Sequence, residues 1–354
     1  MSTLIRVRDG VAHISTGLGT PQGAPFLTAI VEASGALLHW DPTAGVASPD
    51  ADIDDVAAAS GWLADIYGAA VSDAVRAGGD AAAVDVDPDD PRLVDAVLRL
   101  GHLAWARAWW PAGARIPALD PALLAAEVAV ASHTVSHLLD DDDAVERALQ
   151  DAADAGTALA ALSEVLAAEG AELSGALAEL ADDHGVDLLP ATTRRAEWAL
   201  AAGGAGPSPA GIEVASGTAP IRWTDVPAQT VDAEGEARWS LRQRGGGTTL
   251  RVEVPAVDRA TTESLRARFG PGDTAVEVAL ARVADRFEGE AVVVASLVFL
   301  PAHERTLWVR DPVLAPSPGA PESADDRERT LQFATLRLHA PHASLAERAA
   351  GAAR

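Results

Sequence analysis

The chain of 354 residues has no cysteine, no lysine, one methionine and one tyrosine. Without cysteine, disulfides, thiolate metal ligands and thiol nucleophiles are excluded. Such a chain suits a reducing compartment, and a cytoplasmic location is expected. All 27 basic residues are arginine. Alanine, arginine, aspartate and glycine dominate, which reads as the codon bias of a GC-rich genome and not as chemistry. Long apolar runs are also missing. The longest, Ala291 to Pro301, is strand-length and far short of the ~18–20 residues of a membrane span. The first residues, MSTLIRVRDGVAHIS, lack the basic-then-apolar layout of an export signal. Positive charge is scarce: 52 acidic against 27 basic residues leave a net −25. That balance argues against nucleic-acid binding, which needs a basic face, and against anionic membrane surfaces. Its natural complement is a protein with a basic surface.

Composition changes near residue 200. Residues 1–200 carry 32 Asp+Glu against 10 Arg, a net −22; residues 201–354 carry 20 against 17, a net −3. The first part reads as Ala/Leu-rich helices and the second as Val/Thr/Arg-rich strands. The fold class expected is therefore α+β: an acidic all-α helical lobe followed by an antiparallel β-sandwich-like lobe, with a short N-terminal β-hairpin. The expected divisions are 1–50 for the hairpin and a connection, 51–202 for helices, 211–312 for the β domain and 322–354 for a helical tail. The linker GGAGPSPAG at 203–211 marks the boundary.

Local signals support this division. Asp9-Gly10 between alternating runs is a hairpin signature. A helical spacing of apolar residues covers Asp54 to Ala77, and the acidic stretch Asp80 to Asp90 ends it. Asp90-Pro91 and Asp120-Pro121 each place an N-capping carboxylate before a proline suited to the first helical position. The first of these helices stops at Pro111 and the second is expected to reach Leu139. Further helices cover 143–184, and a short one Thr193 to Ala202. In the second part, Glu236 to Arg244 and Thr248 to Val254 form a hairpin about a Gly tip. Thr274 to Val283 and Leu307 to Val309 read as further strands. Glu290 to Leu300 reads as a central strand buried on both faces, and Thr261 to Phe269 as a helix between strands.

Candidate chemistry is sparse. His133 and His137 are i,i+4 on the expected helix, so their imidazoles can share one metal, with a carboxylate from Asp140 to Asp143 or a third ligand such as His102. The zincin pattern needs a glutamate directly after the first histidine, and Thr134 stands there. The Asp85 to Asp90 run fails the EF-hand pattern, because Asp90 occupies the position that needs glycine. No nucleophile elbow, P-loop or dinucleotide-binding glycine pattern is present. No cofactor is expected. Trp105, Trp109 and Trp110 read first as core anchors and second as a protein-binding hot spot. Arg238, Arg242, Arg244 and Arg251 occupy one face of the 236–254 hairpin, either a solvent-facing side or a docking surface for acidic groups.

At 105–113 (WARAWWPAG) and 269–293 (FGPGDTAVEVALARVADRFEGEAVV) the chain resembles uncharacterised actinobacterial proteins. Some of these are accessory members of multi-gene systems that include AAA+ or MoxR-type ATPases. The two stretches cover 34 of 354 residues and carry no catalytic residue to transfer. The resemblance implies an adaptor role with a component of such an ATPase system as partner. The leading expectation is a non-enzymatic adaptor or scaffold. A metal-dependent hydrolase using His133 and His137 is the alternative. A second alternative is carbohydrate binding by the β lobe, through Trp223 or Trp308; Trp239 is expected buried beside Leu241.

Overall fold

The structure, a computed structural model, describes residues 2–16, 24–188, 212–258, 262, 264–315 and 322–353. The expected helix Thr193 to Ala202 and the linker 203–211 lie outside the described residues. Two compact units are present. Unit 1 comprises 1–108, 119–190 and 320–354; unit 2 comprises 109–118 and 191–319. Helices and two antiparallel sheets make a mixed α+β fold. None of the helices among the described residues is long and apolar enough to cross a membrane.

Unit 1 begins with the expected hairpin, β1 (Ser2–Arg8) and β2 (Val11–Ser15). Asp9 and Gly10 both take positive φ, as the tight hairpin turn requires. The hairpin is not an isolated element. Strands β3 (Ala29–Ala33), β4 (Ala36–Trp40), β5 (Asp50–Ile53) and β6 (Ala81–Asp85) join it in a six-stranded sheet of order β3-β4-β5-β2-β1-β6. One row of that sheet, Val31–Leu38–Ala51–Ile14–Ile5, crosses five strands in register and is buried throughout. The acidic stretch expected only to end a helix thus supplies an edge strand. Ala81 to Val84 is the one apolar run within it, and β1 pairs with it.

The helices of unit 1 are α1 (Val56–Ala59), α2 (Leu63–Tyr67), α3 (Ala69–Ala77), α4 (Pro91–Trp109), α5 (Pro121–Thr134), α6 (Ala144–Asp151), α7 (Ala155–Ala160) and α8 (Ala167–His184). The single helix expected over Asp54 to Ala77 is three pieces. Gly68, at φ 86°, turns the chain between α2 and α3. Asp120 caps α5 through the Ala122 and Leu123 amides, as its position before Pro121 foretells.

Unit 2 is a seven-stranded antiparallel sheet of β7 (Ile212–Pro220), β8 (Glu236–Arg244), β9 (Gly247–Pro255), β10 (Ser264–Phe269), β11 (Val276–Val283), β12 (Arg286–Val293) and β13 (Leu307–Arg310), in the order β13-β10-β11-β12-β9-β8-β7. A short helix, α9 (Ala295–Val298), follows β12. The expected two-layer sandwich is corrected here: all seven strands belong to one sheet that curls into a half-barrel. Three strands lie between β8, which carries Trp239, and β10, which carries Phe269, yet the two rings are 4.8 Å apart. Only curling brings them together, and one concave core then replaces the space between two sheets.

Two further expectations change. Residues 264–269 form β10 and not a helix, because Leu265, Ala267 and Phe269 alternate into the core while both neighbours pair with the strand. The strand expected over Glu290 to Leu300 stops at Val293, and Val292 faces solvent, so it is not buried on both faces. Helices α10 (Ala324–Arg337) and α11 (Leu345–Ala352) complete unit 1.

At one point the neighbouring strand leaves no room for a side chain. A Cβ on Gly289 would meet the Ala279 carbonyl oxygen on the neighbouring strand and the Val278 side chain. Gly289→Ala is expected to destabilise unit 2 by about 1–3 kcal/mol. Chemical denaturation followed by tryptophan fluorescence checks this; an unchanged midpoint contradicts it.

Candidate functional site

The residues singled out in the sequence fall in different settings. His133 lies in the last turn of α5, which ends at Thr134, and residues 135–138 form a turn. The helix therefore does not continue to Leu139, and the i,i+4 alignment that gave His133 and His137 a shared face is lost. The cause is local: Thr134 bonds back to the Val130 carbonyl, and the Val135 amide bonds to His133. Both histidines are exposed. The His184 ring lies edge-on to His133 at 6.2 Å. Among the described residues no group of three or more His, Asp or Glu is placed to hold a metal ion. On the other face of the six-stranded sheet Asp52 stands between two imidazoles, 2.6 Å from His13 Nδ1 and 3.5 Å from His39 Nε2.

The tryptophans are anchors. Trp105 is buried in unit 1, where its Nε1–H donates to the Phe26 carbonyl at 2.7 Å. Trp110 is buried in unit 2 and donates to the Pro117 carbonyl at 3.0 Å. Neither presents a face to a partner, which corrects their reading as a hot spot; Trp109 is half-buried. Trp239 and Trp223 are buried as well. Trp308 donates to Asp225 at 2.6 Å, and the Arg310 guanidinium lies 5.5 Å from its ring centre. That cation lies over one face of the ring, where a sugar would otherwise stack.

The arginine row is real but uneven. Arg238, Ser240 and Arg242 face outward on β8, beside Glu253, Arg251 and Thr249 on β9. Arg251 is neutralised within the sheet, 2.8 Å from both Glu253 and Glu288. Arg238 and Arg242 border a shallow concavity of about 340 Å³ together with Glu213, Ser216 and Thr218 of β7. Arg244 is exposed at the hairpin tip.

The most developed polar arrangement is one that sequence reasoning missed. Two glutamates, Glu127 on α5 and Glu347 on α11, are 2% and 0% exposed. Glu127 accepts from the Leu345 and Ala346 amides at 2.8 and 3.0 Å and from Arg99 at 3.1 Å. It thereby caps α11 from another helix. Glu347 accepts from Ser344 N–H at 2.7 Å, closing a capping box, and from His102 Nε2–H at 2.9 Å. Arg337 of α10 adds a two-pronged contact, Nε at 3.0 Å and Nη2 at 2.7 Å. His102 on α4 is stacked on Trp105, with Phe333 edge-on to both rings.

The two carboxyls are pushed in opposite directions. Burial drives Glu127 above the usual carboxylate range, partly offset by the Ala346 and Leu345 amides and by Arg99. Burial acts on Glu347 the same way. There, hydrogen bonds and charge from His102 and Arg337 outweigh it and hold the carboxyl well below its ordinary value. Among protein-family models, curated proteins and solved structures, nothing matches this chain.

Beside the network lies a cavity of about 470 Å³, bordered by Arg99, His102, Arg337 and Ser344 and by apolar groups of α4, α10 and the loop after β4. The sequence signal was weak. Glu127 is the sole charge within an apolar helix, and Ser344 with Glu347 fits the capping-box spacing.

Glu347→Gln leaves Arg337 and His102 opposite a neutral amide in a buried site, and is expected to cost about 3–5 kcal/mol at neutral pH. Because the folded state lowers this carboxyl's pKa, its stabilisation is complete above the unfolded value near 4.5 and is lost as pH falls below it. Acid unfolding of Glu347→Gln should therefore be flatter below that pH than in the parent. Denaturation midpoints measured from neutral to acid pH check both; an equally steep acid limb contradicts the assignment.

Proposed function

We propose that this protein is a non-enzymatic adaptor that acts inside a larger protein complex in the cytoplasm. The observation that carries the reading is an acidic stripe on α8. Glu172, Glu179 and Asp183 are all exposed, and their spacing of seven and eleven residues places them on one side of the helix. Arg348 pairs with Glu169 one turn away, and none of Glu172, Glu179 and Asp183 pairs with a base among the described residues. Such a run of like charge is costly unless solvated, and favourable when a basic surface meets it. The partner is accordingly a protein with a basic surface. The resemblance at 105–113 and 269–293 makes a component of an AAA+ ATPase system the candidate. The net −22 of residues 1–200 strengthens long-range steering toward such a partner. Arg238 and Arg242 offer a second contact, for carboxylates on the partner.

His133 at the end of α5 and His137 in the turn after it, both exposed, give no support to metal-dependent hydrolysis, and Trp308, tied to Asp225 and Arg310, gives none to sugar binding. The test is co-purification from native cells at low and moderate salt, with the parent and with Glu172→Arg/Glu179→Arg/Asp183→Arg. A stoichiometric partner retained at low salt, released at moderate salt and at least about tenfold weaker for the triple variant is expected. A partner bound equally by the triple variant contradicts the role of the stripe.

A further inference from the structure

The cavity beside Glu127 and Glu347 has a lining at odds with the rest of the molecule. In a chain of net −25, four basic side chains border it, Arg99, His102, Arg337 and His342, against one acidic side chain, Asp95. Two of the four are committed, since Arg337 and His102 both bond to Glu347. Arg99 is not used up. Its side chain is 63% exposed, and only Nη2 bonds to Glu127; its remaining N–H groups have no partner among the described residues. Glu127 already accepts two backbone amides, so it does not hold that guanidinium alone. A planar fork with spare donors at the edge of a cavity is a carboxylate receptor.

The rest of the lining is largely apolar. Trp40 is buried against α4, where Gly101 gives its ring room: a Cβ there would collide with it. Phe333 and Leu98 are half-buried and leave apolar surface on the cavity. The volume falls within the range of small-molecule sites, as does this mixture of an apolar wall with a few convergent polar groups.

We infer that this cavity of unit 1 binds a small organic acid, its carboxylate on Arg99 and its flat apolar body between Trp40 and Phe333. The site is separate from the acidic stripe, so the inference does not rest on the adaptor reading. Binding would fasten α10 and α11 to α4 and so raise the stability of unit 1 by mass action.

The probe is 1-naphthoate, with the uncharged 1-naphthalenemethanol as its counterpart, titrated calorimetrically into the full-length protein. Naphthoate is expected to bind saturably at one site per chain and at least about tenfold tighter than the alcohol. Arg99→Met should weaken naphthoate by about tenfold or more while leaving the alcohol unchanged. Because Arg99 also touches Glu127, a second variant guards against misfolding. Val46 borders the cavity from the loop after β4 and belongs to no ion pair, so Val46→Trp should fill the space, abolish binding and leave the unfolding midpoint in place. Equal affinity for acid and alcohol, undiminished naphthoate binding by either variant, or no binding to the parent overturns the inference.

Discussion

Two carboxylates taken out of water hold unit 1 together. A buried glutamate is costly on its own; donors from other elements offset that cost in part at Glu127 and outweigh it at Glu347. Glu127 needs the first amides of α11; those amides need a carboxylate, since a helix N-terminus leaves its N–H groups unpaired. Glu347 needs His102 from α4 and Arg337 from α10. The result is a closed set of mutual requirements among α4, α5, α10 and α11, four elements drawn from sequence positions up to 245 residues apart. Remove one member and the others are stranded, so the arrangement specifies how the C-terminal helices dock as well as stabilising them.

The same set explains the electrostatic contrast within the unit. Gathering Arg99, His102 and Arg337 around two buried acids leaves a basic-edged cavity in an otherwise acidic chain. The acids that remain unpaired are left on exposed helix faces such as that of α8, where water solvates them until a partner does. Packing and charge thus divide the work. Trp105, Trp110 and Trp239 bury their rings, and polar groups on the surrounding elements decide which surface is attractive to what.

What could be read from the sequence follows the range of the interaction involved. Local chemistry was legible: the Asp9-Gly10 turn, the Asp120-Pro121 helix start and the alternation of Glu236 to Arg244 each depend on neighbours a few residues away. The β6 strand inside an acidic stretch was not legible, because only pairing with β1 makes Ala81 to Asp85 extended. The curl of the seven-stranded sheet shows in the meeting of Trp239 with Phe269, and alternation alone does not distinguish it from a sandwich. The site was missed for the same reason. Glu127 and Glu347 look like two among 52 acids, and only the three-dimensional fold shows that both are buried and opposite arginines.

The central claim is that the C-terminal helices are a structural part of unit 1, locked by the two glutamates. Hydrogen–deuterium exchange of the full chain tests it most directly. Amides of α11, above all Leu345 and Ala346, are predicted to exchange as slowly as those of α5, because their opening requires breaking the buried network. Exchange of α11 at the rate of a frayed terminus, while α5 remains protected, would contradict the account.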